Sequence, residues 1–273
     1  MSAALFLRQT LLPKLPLFDE PSQFGLAADT VRFPSTDGIE LEGWTINGHP
    51  GRPWLILCHG VGSNRSDLLD IGARLYLRGF NILWFDFRAH GGSPGRTTSF
   101  GLREQRDLEG ALAFLGRQAD VPDRPCGVYG ISMGGAVALM VAARDERLGA
   151  VAVDSPYTSL DDSLALHLRL LCGLPRQPFL WALRATYRLR FGAWPAVVSP
   201  LAAAPKLSPR ALLVIQGADD VRAPVRGAQE IYEASNDPKE MWLVRGAGHL
   251  EGFPQYPERY VGRLSQFFES HLK

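Results

Sequence analysis

Cysteine is scarce: Cys58, Cys126 and Cys172 are all that 273 residues contain. Their spacing matches no metal-ligand pattern, and neither an HExxH motif nor a tight His/Asp cluster stands elsewhere, which argues against a metal-dependent enzyme. Cys58 and Cys126 lie in apolar runs, where a thiol acts as a small hydrophobe, so free thiols in a reducing cytoplasm are expected. Charge of one sign is also missing. Lys and Arg total 29 against 28 Asp and Glu, a net charge of +1, so no nucleic-acid partner is expected. No apolar run reaches the ~18 residues of a membrane span. The Leu-rich Met1–Leu17 stretch is broken by Arg8, Pro13, Lys14 and Pro16. It lacks the charged start and small-residue cleavage site of a secretory signal. Its apolar residues are expected to pack on the body of the protein, and contact with a membrane surface through them stays open. Nothing resembles a linker. One domain spanning 1–273 is therefore expected, with an N-terminal extension at 1–29 and an insertion at 155–205.

What is present is a globular composition, 46% hydrophobic and 21% charged, with a clear rhythm. Thr30–Pro34 and Ile39–Ile46 alternate apolar and polar residues around Asp37-Gly38, as a half-exposed antiparallel hairpin does. Trp54–Cys58 is continuously apolar, which suits a strand buried on both faces. Ser66 is the expected cap of a helix whose Leu68, Ile71, Gly72 and Leu75 share one side. Phe80–Phe85, Cys126–Ile131, Leu148–Val153, Ala211–Ile215 and Met241–Val244 read as further strands, with helical spacing between most of them. Pro257 opens a last helix with Tyr260, Val261, Leu264 and Phe268 on its apolar side. Alternating strands and helices imply a mostly parallel twisted sheet covered on both faces. In such sheets the reactive groups gather beyond the carboxyl ends of the strands.

The apolar run ending at Ile131 meets Ser132 at once, and small residues then open a helix. Gly130-x-Ser132-x-Gly134 in that setting is a nucleophile elbow, a sharp turn that lifts a serine hydroxyl clear of the sheet. The glycines are needed because side chains there would strike the neighbouring strand and helix. Gly91-Gly92-Ser93-Pro94-Gly95 also fits the spacing. Pro94, however, has no N–H to offer an oxyanion, and no helix follows, so Ser93 reads as a loop residue.

A serine hydroxyl needs a base, and the base needs an acid to fix its tautomer. In this kind of sheet both follow the serine, which sets aside His49, His59 and His90. His249, in the loop Gly246-Ala247-Gly248-His249, is the candidate base. His167 sits in a leucine-rich segment, and His271 is nearly terminal. For the acid, the turn Gln216–Asp220 aims one carboxylate at the sheet and the other at solvent. Asp220 is the choice, with Asp219 its neighbour and Asp154 an outside candidate. The oxyanion donors are expected at the backbone N–H groups of Met133, which heads a helix, and Val61, in the loop after Cys58. His59, Asp86, Arg88 and His90 read as partners that fix loops.

The elbow, His59-Gly60-Val61-Gly62, Asp86–Gly91, Gly217-Ala218-Asp219-Asp220 and Gly248-His249 together resemble the α/β-hydrolase superfamily, from about Val31 to the C-terminus. Within it the chain is most similar to bacterial esterases and S33-type peptidases. The resemblance implies an α/β-hydrolase fold, a mostly parallel twisted sheet with helices on both faces. The family's GxxD motif, laid on Gly217, also falls on Asp220. The leucine-rich 155–205 stretch is then a small helical lid over an apolar substrate pocket, or a helical hairpin packed for stability. Its arginines are most simply a solvated face. The expected activity is a cofactor-independent cleavage of small-molecule carboxylic esters through an acyl-Ser132 intermediate. A peptidase or amidase would need Asp161 or Asp162 as an anchor for a substrate amine. A thioesterase could use the lid arginines for a phosphate-bearing carrier. The fold can also serve a protein that binds without catalysis.

Overall fold

The computed structural model describes residues 14–118 and 125–272. The first thirteen residues of the Leu-rich extension lie outside that range. Eight strands form one sheet: β1 (Asp29–Pro34), β2 (Glu40–Ile46), β3 (Trp54–Cys58), β4 (Asn81–Phe85), β5 (Cys126–Ile131), β6 (Leu148–Asp154), β7 (Ala211–Gly217) and β8 (Lys239–Val244). Their order is β1-β2-β4-β3-β5-β6-β7-β8. β2 is antiparallel to both of its neighbours, and every later pairing is parallel. β4 lies on one side of β3 and β5 on the other, so the winding reverses there. Ligands of open parallel sheets bind at such a reversal, beyond the strands' carboxyl ends.

The helices are α1 (Leu69–Tyr76), α2 (Glu104–Leu115), α3 (Met133–Ala142), α4 (Leu160–Cys172), α5 (Phe179–Phe191), α6 (Pro200–Ala203), α7 (Val225–Ala234), α8 (Gly252–Gln255) and α9 (Pro257–His271). α1 and α9 cover one face of the sheet, over Leu55, Leu57, Ile82, Trp84 and Tyr129. α2, α3 and α7 cover the other, over Ile56, Cys58, Leu83, Val128 and Val214. Side chains alternate across a strand, so a strand with helices on both sides must be apolar throughout. That is why β3, β4 and β5 are buried at every position. Each such Leu, Ile or Val contributes roughly 1.5–3 kcal/mol by leaving water.

One boundary differs from expectation. Asn64, not Ser66, caps the turn into α1: its side chain accepts from the Ser66 N–H. Ser66 falls inside the following 3-10 turn, where its hydroxyl receives the Phe18 N–H at 2.9 Å. The Asn64 amide in turn donates to the Pro16 carbonyl at 2.9 Å. This lays the extension along the sheet rim, with Leu17 packed against the core.

Between β6 and β7 the chain leaves the sheet as the hairpin of α4 and α5. Leu160, Leu168, Leu183 and Tyr187 close onto Ala136 and Met140 of α3 as a third apolar cluster. Pro175 and Pro178 occupy the connection, and α5 begins at the residue after Pro178.

Candidate active site

Ser132 stands between β5 and α3 with φ 50° and ψ −115°, outside the regions an L-residue ordinarily occupies. Such a residue costs about 1–3 kcal/mol and persists only where its surroundings impose it. Here the Ser132 N–H is bonded to the Asp154 carbonyl at 2.8 Å. The flanking glycines let the chain cross itself: a Cβ on Gly130 would lie 2.5 Å from the Gly134 carbonyl, and one on Gly134 would lie 2.1 Å from the Cys58 oxygen. The resulting turn points the hydroxyl away from the sheet.

His249 reaches it from the loop after β8. The Ser132 Oγ lies 3.3 Å from His249 Nε2, and His249 Nδ1–H donates to Asp220 Oδ2 at 2.7 Å. With Nδ1 carrying the proton, Nε2 is left as the acceptor facing the hydroxyl. Asp220 is buried, whereas Asp219 is exposed, as the turn after β7 predicts. The other Asp220 oxygen accepts the Arg222 and Ala223 N–H groups, both at 2.8 Å. The Gln216 amide, 3.1 Å from Oδ2, completes its shell. Burial pushes the Asp220 carboxyl up, but the His249 ring and the two amides outweigh it and hold it below the usual carboxylate range. The carboxylate is therefore charged at neutral pH, as an anchor for an imidazolium must be.

Val61 and Met133 both line the cavity that holds Ser132. Among the described residues neither N–H has a hydrogen-bond acceptor. The neighbouring Gly62 N–H, by contrast, donates to His90 Nε2 at 3.2 Å. His59 holds the base of this loop: it accepts the Phe87 N–H at 3.0 Å, and its Nδ1–H donates to the Gly60 carbonyl at 2.7 Å. Burial holds both His59 and His90 below the usual histidine range, so both stay neutral in these roles. Asp86 receives the Arg65 and Gly92 N–H groups at 2.6 and 2.8 Å. Arg88 is forked onto Asp107 and Asp37. Ser93, completely buried, donates to the Asp86 carbonyl at 2.6 Å. These are loop-fixing positions, and none of them lines the cavity.

Asp154 is not joined to His249. Its carboxylate accepts the Ser155 hydroxyl at 2.8 Å and the Tyr260 hydroxyl at 2.5 Å, and Tyr260 meets Tyr129 at 2.9 Å. Burial raises the Asp154 carboxyl to about 6. His49 bonds to the Tyr76 carbonyl, and the His271 ring lies tilted against Phe267 in the last helix.

The cavity over Ser132 measures about 240 Å³. Its floor holds Ser132, Met133 and His249. α4 is its roof, contributing Leu160, Leu164, His167 and Leu171, spaced so as to share one side of the helix. Phe100 and Tyr157 close a flank. His167, set aside as the base, lines this cavity, as do Phe100, Tyr157 and Arg222, which carry no sequence motif. The His167 Nδ1–H donates to the Ser163 carbonyl at 2.8 Å, so it serves the helix and does not meet Ser132. Neither Asp161 nor Asp162 lines this cavity. Asp161 is paired with Arg184, and Asp162 takes the Ser159 hydroxyl at the start of α4. Among the described residues no group of three or more His, Cys, Asp or Glu side chains could hold a metal ion.

Comparison with known proteins gives this geometry its context. The sequence profile of the serine aminopeptidase S33 family matches residues 49–187. The uncharacterized protein YqkD of Bacillus subtilis is 30% identical over 239 residues, covering 87% of this chain and 78% of YqkD. The uncharacterized protein Rv2307c of Mycobacterium tuberculosis is 31% identical over 242 residues, covering 87% and 76%. Among solved structures, the esterase Pf2001 of Pyrococcus furiosus superposes with a TM-score of 0.81 at 26% identity, covering 96% of this chain and all of that one.

Proposed function

The chain belongs to the serine aminopeptidase S33 family, with the α/β-hydrolase fold, and on that premise we propose that it cleaves small carboxylic esters through an acyl-Ser132 intermediate. The observation that carries this reading is the line Ser132 Oγ, His249, Asp220, with spacings of 3.3 and 2.7 Å. His249 takes the hydroxyl proton as Ser132 attacks the carbonyl. Asp220 stabilises the imidazolium that results. The carbonyl oxygen, now negative, receives the Val61 and Met133 N–H groups, and Met133 adds the positive end of α3. The imidazolium then gives its proton to the leaving alkoxide. Water, deprotonated by the same ring, releases the acid and restores Ser132.

Ester is preferred over aminoacyl amide because a free substrate amine would need a carboxylate on the cavity wall. Asp161 and Asp162, the nearby candidates, are engaged elsewhere. Apolar Leu160, Leu164 and Leu171 instead offer contact to an acyl or alkyl arm. The test is a panel of p-nitrophenyl esters of increasing acyl length beside aminoacyl p-nitroanilides. Turnover of esters with little or none of the anilides is the expected result. Anilide turnover exceeding that of every ester would replace this reading with the peptidase.

A further inference from the structure

Between Asp162 and Asp219 the chain contains no acidic residue and seven basic ones. The hairpin of α4 and α5 occupies most of that stretch. Its inner sides are already used, by the third apolar cluster and by the cavity roof. Its outer side carries large apolar groups that a protein in water ordinarily covers. Leu189 is 88% exposed, Trp181 and Leu171 66% each, and Leu170 45%. Single exposed hydrophobics are commonplace. Four of them on twenty residues, interleaved with cations, are a surface in search of an apolar and anionic environment.

Three of the cations carry uncompensated charge, one of them, Arg188, lying over the Trp194 ring at 5.2 Å. Arg169, Arg176 and Arg188 are exposed, and among the described residues none of them has an acidic partner. Among the described residues Arg184 alone in the hairpin is neutralised, by Asp161. Trp181 and Arg188 lie two turns apart on one side of α5. Tryptophan and leucine entering a headgroup layer, with arginines meeting the lipid phosphates, is the chemistry of an interfacial helix. A second copy of the chain fits less well. A two-fold contact would set this cationic face against itself, with no acid between Asp162 and Asp219 to offset the repulsion.

We propose that the outer surface of the hairpin docks on a bilayer containing anionic phospholipid. Leu170 and Trp181 enter the headgroup layer, and Arg169, Arg176 and Arg188 pair with lipid phosphates. Leu171 is both exposed and part of the cavity wall. Docking therefore brings the cavity mouth to the membrane surface, where amphiphilic esters collect. The docking itself stands apart from the reading of Ser132.

The test is co-sedimentation of the full chain with vesicles of phosphatidylcholine alone or mixed equally with phosphatidylglycerol, at low and high salt. Binding to the mixed vesicles, weakened by salt and absent on phosphatidylcholine alone, is expected. Arg169→Gln and Arg176→Gln should each weaken it roughly fivefold. Leu170→Ser with Trp181→Ser should remove it, while an unchanged circular dichroism spectrum shows that the fold persists. Ser132→Ala should bind like the parent, so loss of hydrolysis and loss of docking are read separately. No binding to the mixed vesicles, or equal binding to both kinds, would overturn the proposal. So would a dimer in solution that Trp181→Ser disperses, which would assign the face to a second copy.

Discussion

The rim of the sheet and the hairpin above it are built on opposite terms. At the rim all ten residues of α3 are buried, Ser132 is locked in a strained conformation, and three N–H donors besides His249 surround Asp220. In the hairpin α4 buries two residues, Leu160 and Leu168, and α5 buries four. Preorganised dipoles act on a reaction only if they do not move as charge develops, which demands the first kind of construction. A cover that admits a substrate is drawn from the weakly packed elements of a fold. On the proposed mechanism, reactivity belongs to the rim and choice of substrate to the hairpin.

Substitutions at the two places should separate along that line. On the rim, His249→Ala is expected to lower ester turnover by roughly 10⁴–10⁶, and Asp220→Asn by roughly 10²–10⁴ through loss of the tautomer lock. Rates on p-nitrophenyl acetate check both. If His167→Ala cost more than His249→Ala, the base would belong to the hairpin and the division would fail. In the hairpin, Leu164→Trp should spare acetate turnover within about tenfold while suppressing longer acyl esters by more, since one bulky group in the cavity displaces chain length. A uniform loss across the ester series would place Leu164 in the rate-setting machinery.

Stability should divide the same way. Gly134→Ala forces a Cβ to 2.1 Å from the Cys58 oxygen and should cost about 3 kcal/mol or more in denaturant unfolding, whereas Leu189→Ser should stay within about 0.5 kcal/mol. Acid acts on stability through buried titratable groups. His59 and His90 stay neutral in the fold, below the ordinary 6.5, but take up protons once the chain unfolds. Below that value each should lower stability by up to about 1.4 kcal/mol per pH unit. Asp154 acts with the opposite sign. Its folded value of about 6 exceeds the ordinary 3.8, so acidification between them favours the fold and offsets one histidine. Asp154→Asn should therefore steepen the loss of stability below about pH 6. Asp220 holds its charge below the usual carboxylate range, and its contribution disappears only as pH falls through that lowered value. Equilibrium unfolding as a function of pH reads these slopes directly.

The rim was legible in the sequence because its signals are local. The central strands are largely apolar runs, the elbow fits in five residues, and Asp220 and His249 sit in short turns directly after strands. What escaped depends on how distant segments meet. Asn64 and Ser66 are both good caps two residues apart, and only the extension bonding to each decides between them. The shell of Asp220 uses Gln216 and two backbone amides, which carry no motif. The link from Asp154 through Tyr260 to Tyr129 joins residues more than a hundred positions apart. His167 faces the cavity because of how α4 is rotated against α3, a packing outcome that leucine spacing alone does not specify.

The central claim is that Ser132 is the nucleophile, and covalent labelling tests it most directly. The chain is treated with a fluorophosphonate, digested, and the modified residue located by mass spectrometry. A single adduct on Ser132, absent from a folded Ser132→Ala variant, is the expected result. An adduct elsewhere, or labelling of Ser132→Ala at the parent's rate, would contradict it.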